Sequence, residues 1–332
     1  MPQIKSYIHA ILMLICFSVY SQNSVENDPE IIQNNINHRI REANVDIDNY
    51  NYYEAQKKLD EALDIAINSN NKKSEGIIYA LKGELQLIIE EEDNAIQSLI
   101  KAVEVQRLIN DNANIGNSYK IFGDVYHSKK DYYQALDQYT AAKSKFQEEE
   151  LNENLSEVLL CEGKTYMRLK NFRKARELNE QAIALAKRNG YLKIQSNGLV
   201  NHGKIYSILG DNEKALEFAN EGILIAKKNN YASILNDGYL ILSEINQNIG
   251  DYKLSNTYLK AHIKLSDSLR VIKRANLSPD KQVQYLMADK NEENKKQAKE
   301  LEEAEKELEA KLKSHINPET EVKLVSFVDD EN

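Results

Sequence analysis

The chain has 332 residues, 42% of them hydrophobic and 29% charged, and 43 basic residues stand against 52 acidic ones for a formal net charge of -9. The acidic excess disfavours a nucleic-acid binder, which needs a basic surface to meet the phosphates. The modest apolar content excludes a multi-span membrane protein, and two cysteines, Cys16 and Cys161, cannot staple a disulfide scaffold.

Residues 1–21 read as a secretory signal peptide. Lys5 precedes an apolar stretch at 10–17, and Val19 and Ser21 fit the cleavage positions. The stretch is shorter than the roughly 20 residues of a membrane span. Ile15, just before Cys16, is not the small residue of a lipoprotein anchor. The expectation is an exported protein, periplasmic or extracellular, with an N-terminally anchored form facing the periplasm as the alternative. After cleavage Cys161 has no intrachain partner. Residues 22–28 are expected to form a disordered lead.

The prolines are Pro2, Pro29, Pro279 and Pro318, so the chain from 30 to 278 contains none and reads as helix upon helix. Asp28, Pro29 and Glu30 form a helix start: cap, Pro at the first position, acid in the first turn. From there a forty-residue register runs through six repeats, 29–275. One column is Ala43, Gly83, Gly123, Gly163, Gly203 and Ser243. A second is Ala55, Ala95, Ala135, Ala175, Ala215 and Ser255; a third, seven residues on, is Ala62, Ala102, Ala142, Ala182, Gly222 and His262. The first column marks where helix A of each repeat approaches helix B closely, and the other two lie on one face of helix B. Tyr79, Tyr119, Leu159, Leu199 and Tyr239 fill the space between, with Tyr126, Tyr166 and Tyr206.

Asn51, Glu91, Asp131, Asn171, Asp211 and Asp251 precede helix B, and all but Glu91 are good N-caps. Asn51 with Glu54 and Asp131 with Gln134 are spaced for capping boxes. Gly210 and Gly250 suit a positive φ, and Asn70, Asn110, Gly190 and Asn230 fall on left-handed C-terminal positions. Lys187, Arg188, Lys227 and Lys228 close helices where cations suit the dipole.

Ser278, Pro279 and Asp280 start a further helix, in which Val283, Tyr285, Leu286 and Met287 would cap the array; it continues as a charged helix to 313. Glu302 with Lys306, Glu307 with Lys311 and Glu309 with Lys313 are i,i+4 pairs. Leu301, Ala304 and Leu308 offer a short seam for a weak homodimer through 289–313, although a solvated helix is favoured. Residues 314–332 read as an acidic, disordered tail with an apolar patch at 322–328.

This register resembles the tetratricopeptide repeat (TPR), whose mark is a small residue in helix A and Ala…Leu or aromatic…Ala in helix B. Leu59, Leu99, Tyr139 and Leu259 match the middle position, while Asn179 and Ala219 depart from it. The family's usual repeat has about 34 residues and ends in Pro; here the period is forty and that Pro is missing. The resemblance implies an all-α fold, a right-handed α-solenoid of helix-turn-helix repeats with a charged C-terminal helix. Signal peptide, array and charged helix in this order are similar to exported bacterial TPR proteins and to the extracytoplasmic sensor part of TPR histidine kinases and transcription regulators.

No phosphate-cradling loop, nucleophile elbow or zinc-protease motif is present, and the six histidines are scattered. A non-catalytic protein without metal or cofactor is expected. By resemblance, helix A lines a concave groove whose outward positions are Asn117, Lys120, Asp124 and His127, then Glu157, Lys164 and Arg168, then Asn197, Asn201 and Lys204, then Glu244 and Gln247. Lys120, Lys164, Arg168 and Lys204 would form a basic strip for an acidic or carboxylate-bearing peptide or helix. The expected function is an exported interaction scaffold; the alternative is a signal-input module lacking its own kinase or DNA-binding output.

Overall fold

The structure is a computed structural model that describes residues 28–275 and, beyond them, positions 282, 287, 290–292, 295–300, 302, 303, 306 and 307. The signal segment, most of the expected lead, the start of the capping helix and the tail from 314 lie outside the described residues. Contacts divide the chain into a unit ending at Leu277 and another beginning at Ser278. In the second unit the described positions are helical, and Lys306 Nζ meets Glu302 Oε1 at 2.6 Å.

Twelve helices fill the first unit among the described residues. They are α1 (Pro29–Asp48), α2 (Tyr52–Asn68), α3 (Lys72–Ile88), α4 (Glu92–Leu108), α5 (Asn112–Ser128) and α6 (Tyr132–Glu148), then α7 (Asn152–Arg168), α8 (Phe172–Asn189), α9 (Leu192–Ile208), α10 (Asn212–Lys228), α11 (Ala232–Ile249) and α12 (Tyr252–Ala275). Odd-numbered helices are the A members and even-numbered ones the B members. None of the helices in the described residues is long and apolar enough to cross a membrane. Asp28 opens α1 by accepting the Glu30 N–H at 2.9 Å.

From α2 onward the helices begin twenty residues apart, and the turns are built alike. Residues 50, 70, 90 and so on to 250 all have positive φ, although only Gly190, Gly210 and Gly250 are glycines. The N–H of the following residue reaches back to the carbonyl five positions earlier, as in Asn71 to Ala66 at 2.8 Å and Asp251 to Asn246 at 2.9 Å. That bond answers carbonyls left open at the helix end. The expected left-handed positions at Asn70, Asn110, Gly190, Asn230, Gly210 and Gly250 are present; Tyr50, Glu90, Lys130, Glu150 and Lys170 join them.

Asp131, Asn171, Asp211 and Asp251 cap helix B through side-chain oxygens, and Asn71 and Asp111 do the same for helix A. Asn51 makes no side-chain cap; its amide turns to Asp46 Oδ1 at 3.3 Å, so the box with Glu54 does not form.

Packing follows the three columns. The Ala column from Ala55 to Ala215 is sealed from solvent, as are Leu59, Leu99 and Tyr139. Fully burying such a side chain stabilises the fold by about 2 kcal/mol. At Gly203 a Cβ would stand 2.9 Å from the Ala215 carbonyl and 2.9 Å from Ala219 Cβ, so α9 and α10 touch backbone to backbone. Asn179, a departure from the TPR pattern, donates to the Gly198 carbonyl at 2.7 Å and joins α8 to α9. Its neighbour His202 is 3% exposed and lies edge-on to Tyr206 and Phe218. Burial lowers the His202 imidazole to about 4, with Arg176 adding to the effect. His262 is half-buried in its Ala column, 3.0 Å from the Asn236 carbonyl.

Each A helix touches the A helix of the next repeat, whereas no two B helices touch among the described residues. The array therefore curves with its A helices on the inner side.

A candidate partner-binding groove on the A helices

Two cavities among the described residues lie on the inner wall at the expected site. The larger, about 560 Å³, lies among α5, α7, α9 and α11. Its polar lining includes His127, Lys164, Arg168, Asn201, Lys204 and Asp237, and Met167, Ile208, Leu240 and Ile241 supply apolar surface. The smaller, about 250 Å³, lies among α3, α5 and α7 and is lined by Ile77, Ala80, Leu81 and Ile121 with Glu84, Asn117, Lys120 and Glu157.

Helical spacing explains the wall. Glu157, Lys164 and Arg168 fall at i, i+7 and i+11, one face of α7. Lys164 and Lys204 each follow the small residue of their repeat by one position, so where that residue faces helix B they are turned toward the inner side.

The structure brings His127, Lys164, Arg168, Asn201 and Lys204 around one cavity. Among the described residues no carboxylate comes within ion-pair distance of Lys164, Arg168 or Lys204. His127 Nδ1 lies 2.9 Å from Thr165 Oγ1, whose own proton goes to the Cys161 carbonyl, so Nδ1 is the protonated nitrogen. Burial lowers the His127 imidazole, with Arg168 and Lys164 adding to the effect and Asp124 opposing it. Desolvation raises the Asp237 carboxyl while Lys164 and Lys204 pull it down.

Lys120 does not join the basic strip. Its ammonium is 3.2 Å from Asp124 Oδ2 and 3.2 Å from Glu157 Oε1. Burial opposes its charge, but Asp124 and Glu157 more than offset that and hold its pKa well above the ordinary lysine range. Asp124 in turn accepts the Tyr139 hydroxyl at 2.7 Å. Asn117 accepts from Asn154 at 2.8 Å, and Asn201 donates to Asn197 at 3.1 Å, so part of the expected polar wall is spent on itself. Asn197, Glu244 and Gln247 line neither cavity, and the last two are exposed on α11.

Sequence reasoning did not single out Glu84, Asp237 or the apolar lining. A signal was present, because the position after the small column reads Glu84, Asp124, Lys164, Lys204 and Glu244. Glu84 is raised by desolvation, against the pull of Lys120.

No protein-family model and no curated protein matches the chain. Solved structures do match it. The apo form of RapI superposes with a TM-score of 0.60 at 14% identity, over 77% of this chain and 91% of that one. A tetratricopeptide repeat sensor protein of the STAND ATPase class from Pyrococcus horikoshii superposes with a TM-score of 0.54 at 22% identity, over 73% of this chain and 38% of that one. The fold is a TPR-type solenoid. A Rap protein complexed with Competence and Sporulation Factor also superposes on this TPR array, with a TM-score of 0.58 at 11% identity, over 72% of this chain and 76% of that one. At these identities the likeness is one of fold.

Proposed function

We propose that this TPR array is a non-catalytic interaction scaffold, exported from the cytoplasm, which holds a segment of a partner protein or a peptide along its A helices. One observation carries the reading. Lys164, Arg168 and Lys204 surround a cavity of about 560 Å³ without carboxylates in ion-pair reach, above an apolar floor. Cations so placed favour a ligand carboxylate, and the floor takes an adjoining apolar side chain. The Rap complex with a bound factor supports such use of the fold.

The test is cross-linked affinity capture from intact cells, comparing wild type with a Lys164→Glu, Arg168→Glu, Lys204→Glu variant whose helicity is verified by circular dichroism. A discrete partner captured by the wild type and lost in the variant is expected. The same set captured by both proteins refutes the groove. If the partner is a membrane-bound kinase or regulator, the scaffold serves as the input module of a signalling system.

A further inference from the structure

The two cavities carry opposite charge. Two carboxylates, Glu84 and Glu157, line the smaller one with Lys120, which Asp124 pairs from outside the lining, and Lys193 acts on Glu84 from α9. Lys120 is engaged by Asp124 and Glu157, and Glu84 has no hydrogen bond or ion pair among the described residues. Glu84 stands beside Ile77 and Leu81, so a cation arriving there would find both a counter-charge and apolar surface for its stem. The larger cavity has the reverse balance, with Lys164, Arg168 and Lys204 against Asp237.

Both poles share α7, which contributes Glu157 to one and Lys164 and Arg168 to the other. At 1.5 Å per residue these side chains stand roughly 10 to 17 Å apart along the helix. An extended chain spans that distance in about three to five residues.

We infer that the groove reads a dipolar peptide segment, seating a cationic group against Glu84 and Glu157 and an anionic group against Lys164, Arg168 and Lys204. This rests on the groove being the binding surface and adds what the occupant must carry and which way it lies. A uniformly acidic segment would place like charges beside Glu84 and Glu157, and electrostatic mismatch of this kind rejects wrong partners.

The experiment selects random peptides displayed on phage against the full chain, a Glu84→Gln, Glu157→Gln variant, and a Lys164→Gln, Lys204→Gln variant; Glu84→Gln alone serves if the double change unfolds the array. Fluorescence anisotropy then follows labelled synthetic copies of the selected peptides. Peptides selected by the wild type are expected to pair a Lys or Arg with an Asp, Glu or terminal carboxylate three to five residues away. Replacing that cation by norleucine is expected to weaken binding to the wild type about tenfold and to leave binding to the Glu84→Gln, Glu157→Gln variant within twofold. Selected peptides with acids alone, or an equal loss on both proteins, overturn the dipolar reading and leave the groove standing. If the wild type selects no peptide, or selects peptides indifferent to Lys164→Gln, Lys204→Gln, the groove and the inference fall together.

Discussion

Two glycines in the same column of the register are expected to respond differently to the same substitution. At Gly163 an added Cβ would meet the Ala175 carbonyl at 3.4 Å and nothing else closer than Leu178 Cβ at 3.8 Å, which is ordinary contact. Replacing a mid-helix glycine by alanine there removes backbone freedom from the unfolded chain and stabilises by about 1 kcal/mol. At Gly203 the same methyl would stand 2.9 Å from the Ala215 carbonyl and 3.0 Å from the Ala219 backbone nitrogen. These atoms belong to the α10 backbone and yield only if the helices part, and overpacking of this kind costs about 1 to 3 kcal/mol. The propensity gain is offset or exceeded, so Gly203→Ala is expected to be neutral or destabilising by up to about 2 kcal/mol. The gap between the two variants is then about 1 to 3 kcal/mol, read from urea midpoints at unchanged m. If both midpoints move the same way by the same amount, the small column does not report helix approach and the packing argument is wrong.

Replacing Lys130, Glu150 or Lys170, all at positive φ, by glycine relieves left-handed strain. Each change is expected to raise stability by up to about 1 kcal/mol, the left-handed cost relieved less the extra backbone freedom of an unfolded glycine; a lower melting temperature in all three would show that the turns carry no such strain. His202 has a folded pKa of about 4 against an ordinary 6.5, so the unfolded chain binds its proton first. Stability from this group is complete above pH 6.5 and is lost as pH falls toward 4, by about 3 kcal/mol in all. His202→Phe should flatten that part of the urea midpoint profile, and an unaltered slope would exclude His202 as its cause.

The repeat was legible because its packing constraints fall on residue types with few alternatives. Gly83, Gly123 and Gly203 in helix A and the Ala columns of helix B answer helix contact, and Asp or Asn before helix B answers orphan N–H groups. The turns were half legible. Glycine and asparagine announced their left-handed positions, but Tyr50, Glu90 and Lys130 adopt the same conformation because the packed helices on either side impose it. The groove divided similarly. Lys164, Arg168 and Lys204 were placed by periodicity, whereas the fate of Lys120 depended on Glu157, thirty-seven residues away in the next repeat. Asn179 read as a departure from the pattern; its amide answers a backbone carbonyl of α9, a need that no single-repeat alignment displays.

The uniform turns also bear on how such a chain gains and loses length. From α3 on, every helix starts twenty residues after its predecessor, so the turn inside a repeat and the turn between repeats are interchangeable joints. Excising 132–171 would bring Asp131 directly before Phe172, where it can cap α8 as it now caps α6. A recombination event of forty residues thus shortens the array without disturbing a single joint, while one of twenty would set an A-type surface in a B-type place. Groove length is consequently quantised in whole A helices. Losing α7 in this way would remove Glu157, Lys164 and Arg168 in one step, so ancestry by duplication and deletion would change the selectivity of the groove in jumps rather than by degrees.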